Sequence, residues 1–275
     1  MYTMTLRASQ TAIAFEDAGA GPVVALLHAF PLDSGMWGPQ IGELATRYRV
    51  IAPDLPGFGG SAVSAGLTMD SIADVLAELL DHLGVNERIA LAGVSMGGYA
   101  ALAFARLYPQ RLRALILADT KADADDEPGR ANRDRLIQLA TDRGPAAVLD
   151  QLLPKLLGPH TIAARPATVQ RVRALAGRQS TDGIVAALKA LRDRPDAAPG
   201  LAHIAVPTLV VVGDQDAVTP PEKAMAMAAA IPNSQLVTVP DAGHLSNLEN
   251  PDLFTAAVRE FLDRLPEEGS PSRMG

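Results

Sequence analysis

The sequence predicts an α/β protein: a mostly parallel, eight-stranded sheet with helices on both faces and a helical lid inserted after the sixth strand. Two patterns predict it. Short runs of β-branched residues and leucine alternate with amphipathic stretches, which is typical of strands joined by crossover helices. Between residues 118 and 208 the chain then has about ninety residues of mostly helical pattern, too many for one crossover. A length of 275 residues suits one core that carries such an insertion.

Six runs are predicted to be strands because they are apolar without polar alternation, as in strands covered on both faces. They are residues 23–27, 50–52, 89–92, 114–118, 208–212 and 236–239. Two weaker segments, residues 4–6 and 12–15, come before them. These two segments predict an antiparallel hairpin at the edge of the sheet.

The stretches between the runs predict helices. Residues 69–83 place Ile72, Leu76 and Leu79 on one stripe, and Gly84 is a typical helix stop. Other core helices are predicted at residues 97–107, 220–231 and 251–265, with a frayed tail at residues 266–275. Glycines and prolines divide the insertion into four helical patterns, at residues 128–141, 146–157, 161–176 and 182–192. We therefore expect a core of residues 1–120 and 205–275 and a cap of residues 121–204.

The composition narrows the possible partners. The net charge is −7 and the pI is near 5.2, so we expect neither nucleic acid nor an anionic membrane as a partner. The absence of cysteine excludes disulfides, thiolate zinc sites and a cysteine nucleophile, and we expect no metal and no cofactor. Residues 1–20 lack the pattern of a signal peptide, and no apolar stretch approaches the roughly 18 residues of a membrane span. The expectation is a cytoplasmic monomer or homodimer.

A nucleophile elbow is predicted at Gly93-Val94-Ser95-Met96-Gly97, because this G-x-S-x-G follows a predicted strand and precedes a predicted helix. The turn at the serine is strained, and a Cβ on either flanking residue would collide with the neighbouring strand or helix. The motif therefore points to Ser95 as a nucleophile, held at the positive end of the next helix.

At this point the sequence resembles the α/β-hydrolase superfamily over nearly its whole length. The landmarks, in family order, are His28-Ala29-Phe30-Pro31, Asp54-Leu55-Pro56-Gly57-Phe58-Gly59-Gly60-Ser61, the elbow, and then Gly213-Asp214-Gln215-Asp216 with Gly243-His244. The segments HAFPLDSGMW and AGHLSNLENP resemble small bacterial carboxylesterases. Enol-lactonases acting on 3-oxoadipate and cofactor-free haloperoxidases are nearby relatives in this resemblance.

The resemblance implies a catalytic triad in the order nucleophile, acid, histidine. Of the five histidines, His244 alone follows the last predicted strand, which makes it the candidate base. The family spacing Gly-x-x-Asp selects Asp216 as the acid that orients the histidine. Asp214, two residues earlier, and Asp119, at the end of the preceding strand, remain alternatives.

An oxyanion hole needs two backbone N–H groups directed at the substrate carbonyl oxygen. One is expected from Met96, the residue after the nucleophile. By resemblance, the other comes from Phe30, although this chain has Ala29 where the family usually has glycine. His28 is expected to brace this loop by hydrogen bonds, and Pro31 has no N–H to offer.

The implied reaction is acyl transfer from a small-molecule ester to water, with a preference for short to medium acyl chains. Side chains proposed for the substrate pocket are His28, Trp37, Leu153 and Leu245. Three alternatives stay open: an enol-lactonase-like lactone hydrolase, a cofactor-free perhydrolase or haloperoxidase, and a ligand sensor on the same fold.

Overall fold

The computed structural model describes residues 1–266, which form an eight-stranded sheet with helices on both faces. The strands are β1 (Tyr2–Thr5), β2 (Ala12–Ala18), β3 (Val23–Leu27), β4 (Arg49–Pro53), β5 (Ile89–Val94), β6 (Leu112–Ala118), β7 (Thr208–Gly213) and β8 (Ser234–Val239). Their order across the sheet is β1-β2-β4-β3-β5-β6-β7-β8. β1 and β2 form the predicted antiparallel edge hairpin, and every pairing from β4 to β8 is parallel. The predicted fold class is confirmed.

Helices connect the strands and follow β6 as a long insertion. In the core they are α1 (Gly38–Leu44), α2 (Met69–His82), α3 (Met96–Leu107), α8 (Pro221–Ala230), α9 (Ser246–Glu249) and α10 (Pro251–Asp263). The insertion consists of α4 (Glu127–Leu156), α5 (Pro159–Ala164), α6 (Pro166–Gly177) and α7 (Thr181–Asp193). Within residues 1–266, no helix is long and apolar enough to cross a membrane. Apart from Pro266, the tail expected to fray lies outside the described residues.

The two faces of the sheet bury separate apolar clusters. In β3, Ala25 and Leu27 point to the face that packs against α2 and α3, whereas Val24 and Leu26 point to the face that packs against α1 and α10. Successive side chains of a strand point to opposite faces, so an unbroken apolar run can serve both clusters. The central strands are thus fixed by burial on both sides.

The edge strand β8 departs from the prediction that the strands are covered on both faces. Its residues Gln235, Leu236 and Thr238 are exposed, and Leu236 keeps 38% of its surface accessible. Because β8 pairs with β7 alone within the described chain, one edge and part of its faces meet solvent.

The insertion contains one break that the sequence pattern did not predict. Predicted helix 161–176 is two helices, α5 and α6, separated at Arg165, whose φ is −123° and ψ is +64°. Pro166 explains the break, because the proline ring disfavours helical geometry in the residue before it. The long α4 leaves helical geometry at Gly144, with φ of +77°, between the two helices predicted there. The short helices α1 and α9 were not predicted.

Three contacts attach the insertion to the core. Arg194, after α7, lies 4.2 Å above the centre of the Tyr99 ring in α3 and 2.9 Å from Asp125. The side chain of Gln179, after α6, accepts a hydrogen bond from the Gly59 backbone at 2.8 Å. At the start of α7 the backbone of Gly183 packs directly on the backbone of residue 57.

We expect Gly183→Ala to lower the free energy of unfolding by about 1–3 kcal/mol. Its new Cβ would lie 1.9 Å from the Gly57 carbonyl oxygen, so the two backbones must separate. The control is Gly42→Ala in α1, where a Cβ meets nothing within 4 Å. That change is expected to raise the free energy of unfolding by about 0.5–1 kcal/mol. Urea denaturation measures both, and equal stability of the two variants would contradict the close backbone contact.

Candidate active site

Ser95 occupies the sharp turn between β5 and α3, with φ of +53° and ψ of −112°. A non-glycine residue in this region is strained, and the strain persists only where the surroundings hold it. The Ser95 N–H donates to the Ala118 carbonyl at 3.0 Å, and the Thr120 hydroxyl donates to the Ser95 carbonyl at 2.9 Å. These bonds hold the turn, which carries the Ser95 hydroxyl to the carboxyl edge of the sheet.

The glycines on either side of the turn are required by close backbone approaches. A Cβ on Gly93 would lie 2.2 Å from the Gly97 carbonyl oxygen, in the helix that follows. A Cβ on Gly97 would lie 2.2 Å from the Leu27 carbonyl oxygen, at the end of β3. Contacts this short do not occur for real Cβ atoms, so the spacing G-x-S-x-G is a consequence of the packing.

Ser95, His244 and Asp216 form one hydrogen-bonded chain. The Ser95 Oγ atom lies 2.7 Å from His244 Nε2, and His244 Nδ1 lies 2.8 Å from Asp216 Oδ2. The three residues are nearly enclosed, with 8%, 1% and 3% of their surfaces accessible. The structure thus brings together the three residues that the sequence predicts for this role.

The Asp216 carboxylate is fixed by its own loop. Its Oδ1 atom accepts from the N–H groups of Val218, at 2.8 Å, and Thr219, at 2.9 Å. Its Oδ2 atom accepts from the Thr219 hydroxyl at 2.7 Å as well as facing His244. These donors orient the carboxylate toward the imidazole before any reaction.

The two alternative acids have other partners. Asp214 accepts a hydrogen bond from the Ala242 backbone at 3.3 Å. Asp119 accepts from the Gly213 N–H at 2.9 Å and from Ser246, whose N–H and hydroxyl lie 3.0 and 2.6 Å away. Both carboxylates therefore hold loops together, and Asp216 is the one in contact with the histidine.

The charges around His244 shift its pKa. Burial alone would lower that pKa, but the charge and hydrogen bond of Asp216, assisted by the charges of Asp119 and Glu249, outweigh it and raise the pKa above 6.5. Burial alone would raise the pKa of Asp216. The charge of His244 and the hydrogen bonds from His244 and Thr219 outweigh burial and hold this pKa below 3.8. Burial and the nearby Asp216 charge raise the pKa of Asp119 to about 7.

The two predicted oxyanion donors lie on either side of a close backbone contact. Met96 is the first residue of α3, where backbone N–H groups have no acceptor inside the helix. Phe30 follows β3, in the loop that begins where Gly97 packs against Leu27. Within residues 1–266, neither the Met96 nor the Phe30 N–H donates to a protein acceptor. Both groups are therefore free to bind an oxygen.

His28 braces the loop and does not line a pocket, which corrects its inclusion among the pocket residues. Its Nε2 atom accepts from the Leu55 N–H at 2.8 Å, so Nδ1 carries the proton and donates to the Ala29 carbonyl at 3.0 Å. The ring is fully buried and packs edge-on against Phe58. Burial lowers the pKa of His28, in keeping with a neutral ring.

The other three pocket candidates lie in the apolar cluster on the α1 and α10 face. Trp37 packs against Phe254, with 6.1 Å between ring centroids. Leu153 and Leu245 belong to the same cluster, which joins the end of α4 to the loop of His244. Their role in binding a substrate stays a prediction.

A cavity of about 780 Å³ lies along α3, between this helix and residues 194–204. Tyr99, Leu102 and Leu201 contribute to its walls, and Ser95 and His244 do not. The cavity is therefore separate from the serine–histidine contact. Among residues 1–266, no group of three His, Asp or Glu side chains is placed to hold a metal ion.

Sequence reasoning missed two residues that shape the site. Thr219 donates to Asp216, and the buried Glu249 carboxylate accepts from the backbone on both sides of His244. The available signal for Glu249 is an acidic residue inside the largely uncharged segment that follows His244. For Thr219 no local signal distinguishes it from a turn residue.

Comparison with known proteins relates the chain to one family. A family model described as the alpha/beta hydrolase fold matches residues 22–251. An esterase from Thermogutta terrifontis, solved with malate bound, is 43% identical with a TM-score of 0.92, covering 96% of this chain and 98% of that one. The 3-oxoadipate enol-lactonase 2 of Acinetobacter baylyi is 28% identical over 94% of this chain and 96% of its own. A bromoperoxidase from Bacillus anthracis is 25% identical with a TM-score of 0.85, covering 95% and 99% of the two chains.

The His244–Asp216 pair should stabilise the fold more at low pH than at high pH. Because the folded-state pKa of His244 is raised, its stabilisation is full below the unfolded value of 6.5 and is lost as pH rises through the folded pKa. We expect Asp216→Asn to cost more unfolding free energy at pH 6 than at pH 9, and to lower the pKa of His244 measured by NMR. A cost independent of pH, with an unchanged imidazole pKa, would contradict the charged pair.

Proposed function

Because this chain belongs to the α/β-hydrolase family, we propose that it is a serine hydrolase that cleaves carboxylic esters through an acyl-enzyme on Ser95. The family makes the chain a hydrolase, and the nature of the bond cleaved is the proposal. One observation carries it: the 2.7 Å contact of Ser95 Oγ with His244 Nε2, in line with the 2.8 Å contact of His244 Nδ1 with Asp216. The expected substrate is a small uncharged ester of short to medium acyl chain.

In the first half of the reaction, Ser95 Oγ attacks the ester carbonyl carbon as His244 Nε2 takes the hydroxyl proton. The carbonyl oxygen becomes negative and is held by the free N–H groups of Phe30 and Met96. The carbon–oxygen bond to the alcohol then breaks, and the alcohol leaves with the proton that His244 returns. Asp216 keeps the imidazole in the required tautomer and stabilises its charged form.

In the second half, His244 removes a proton from water, and the resulting hydroxide attacks the acyl carbon. The tetrahedral intermediate collapses, Ser95 regains its proton, and the carboxylic acid is released. The base must be neutral to act, so activity falls as pH falls through the pKa of His244. Since that pKa is raised above 6.5, the loss of activity begins above this value.

Two other reactions use the same groups. A lactone is an internal ester, and the similarity to a 3-oxoadipate enol-lactonase favours testing one. Hydrogen peroxide in place of water would convert the acyl-enzyme to a peracid, and the similarity to a bromoperoxidase favours testing that reaction. The higher identity to an esterase favours simple ester hydrolysis.

We expect steady, multiple-turnover hydrolysis of p-nitrophenyl butyrate, reduced at least about 10⁴-fold by Ser95→Ala, because the nucleophile is lost. A fluorophosphonate should label the wild-type protein once, and peptide mass spectrometry should place the adduct on Ser95. Ser64→Ala, in the loop between β4 and α2 and outside the hydrogen-bonded chain of the site, is the matched control and should still be labelled. A single stoichiometric burst without turnover would instead support a ligand sensor.

The substrate class is tested by comparing p-nitrophenyl esters of two to eight carbons with an enol-lactone at equal concentrations. We expect the highest kcat/KM for the short and medium esters. A kcat/KM for the lactone more than about 10-fold above every ester would overturn the ester assignment in favour of lactone hydrolysis. Halogenation in the presence of acetate and hydrogen peroxide, at a rate above that of ester hydrolysis, would favour perhydrolysis.

A further inference from the structure

Glu249 is a buried carboxylate that the proposed reaction does not use. It ends α9 and keeps 1% of its surface accessible. Its Oε1 atom accepts from the N–H groups of Gly243, at 2.9 Å, and Leu245, at 3.1 Å, and its Oε2 atom accepts from the Gly158 N–H at 2.8 Å. Burying a carboxylate is costly unless donors meet its charge, and three backbone donors do so here.

The donors belong to the loop that carries His244. All four backbone N–H groups of residues 243–246 have buried acceptors, which are in order Glu249, the Leu156 carbonyl, Glu249 again and Asp119. The loop has no other regular structure before α9, so these bonds determine its path. Glu249 supplies two of the four acceptors, one on each side of His244.

The remaining oxygen of Glu249 binds the insertion. Gly158 lies between α4 and α5, and its N–H reaches Glu249 alongside the His244 loop. The two backbones are in direct contact, since a Cβ on Gly243 would lie 2.3 Å from the Gly158 nitrogen. The N–H of His244 itself donates to the Leu156 carbonyl at 3.1 Å. One carboxylate thus joins the inserted helices and the histidine loop.

We propose that Glu249 is a positioning residue that holds His244 in reach of Ser95 and makes this placement depend on the seating of the inserted helices at Gly158. The inference rests on the proposed function, because it concerns the base of that reaction. A displacement of about 1 Å at a reacting group can cost roughly 10²-fold in rate, so a loop held at four points matters for turnover.

The charges around His244 provide a second way to test the role of Glu249, through the pH dependence of the rate. Three carboxylates face the imidazole: Asp216 from the loop after β7, Asp119 from the end of β6, and Glu249 from α9. The insertion contributes backbone groups of Leu156 and Gly158 at this contact. Removing the charge of Glu249 therefore weakens the stabilisation of the imidazolium and moves the acidic limb of the rate profile to lower pH.

The first test is Glu249→Gln, which keeps the side chain's size but loses its charge and puts an NH₂ group against an N–H donor. We expect kcat for p-nitrophenyl butyrate to fall roughly 10- to 100-fold, with KM changed less than about 3-fold. The acidic limb of kcat/KM should move to lower pH. Glu249→Asp keeps the charge, so its acidic limb should stay nearer to that of the wild type.

The matched control is Asp125→Asn. Asp125 is also a buried carboxylate, but it lies just before α4 and its partners are Arg133 and Arg194. This variant should lose thermal stability while its acidic limb stays at the wild-type pH. A limb that moves equally in both variants would show a general effect of weakened folding and would overturn the specific role of Glu249.

A second test changes a residue of the insertion. A Cβ on Gly158 would lie 2.9 Å from the Gly243 nitrogen, whereas a Cβ on Gly177, also in the insertion, meets nothing within 4 Å. We expect Gly158→Ala to lower kcat roughly 10-fold by displacing the histidine loop, and Gly177→Ala to retain wild-type kcat. Fluorophosphonate titration of active sites corrects each rate for unfolded protein.

The outcomes separate the two proposals. Wild-type kcat and pH profile in folded Glu249→Gln would overturn the positioning role, as long as Ser95→Ala still abolishes turnover. If Glu249→Gln does not fold, unchanged kcat per titrated site in Gly158→Ala overturns it instead. Turnover that survives Ser95→Ala would overturn the proposed function itself.

Discussion

The 2.7 Å contact between Ser95 and His244 is the interaction on which the site depends, and it joins residues 149 positions apart in the chain. Parallel strands place their carboxyl ends at one edge of the sheet, and β5, β6, β7 and β8 are consecutive neighbours there. Ser95 follows β5 and His244 follows β8, three strand spacings away, or about 14 Å at 4.7–4.9 Å per strand. The histidine loop must therefore reach back across β7 and β6, and its placement needs support from outside the sheet.

Buried carboxylates supply much of that support. Asp119 ties the ends of β6 and β7 to α9, and Glu249 ties the loop to the insertion, both by accepting backbone N–H groups. Asp216 is different, because its partners leave one oxygen facing the imidazole. Three carboxyl groups around one histidine are tolerated because backbone donors and the imidazole meet their charge, and because the pKa of Asp119 is raised to about 7. The same charges that fix the loop also raise the basicity of the ring.

The sequence predicted what local pattern determines and missed what tertiary contacts determine. The apolar runs located the sheet, since β3 to β7 are buried on both faces, and the flanking glycines located the Ser95 turn. The choice of Asp216 over Asp214 came from family spacing, because both follow β7 and only loop geometry separates their partners. The break at Arg165 has a local cause in Pro166 that the helix pattern overlooked. The bond of Glu249 to Gly158 joins segments 91 positions apart, and Thr219 acts on Asp216 within its own loop, where no sequence pattern marks it. His28 was assigned both a bracing and a pocket role, and its two ring hydrogen bonds decide for bracing.

The near-complete enclosure of Ser95 bears on the fate of any ester formed on it, since the serine keeps 8% of its surface accessible and His244 keeps 1%. An acyl group on that oxygen would begin in space that the protein largely encloses, so the nucleophile that resolves it would be selected by access to that space as well as by abundance. Whether water, a second alcohol or a peroxide resolves the intermediate then depends on the residues that enclose this space. Chemically identical triads can in this way yield different products when their enclosures differ.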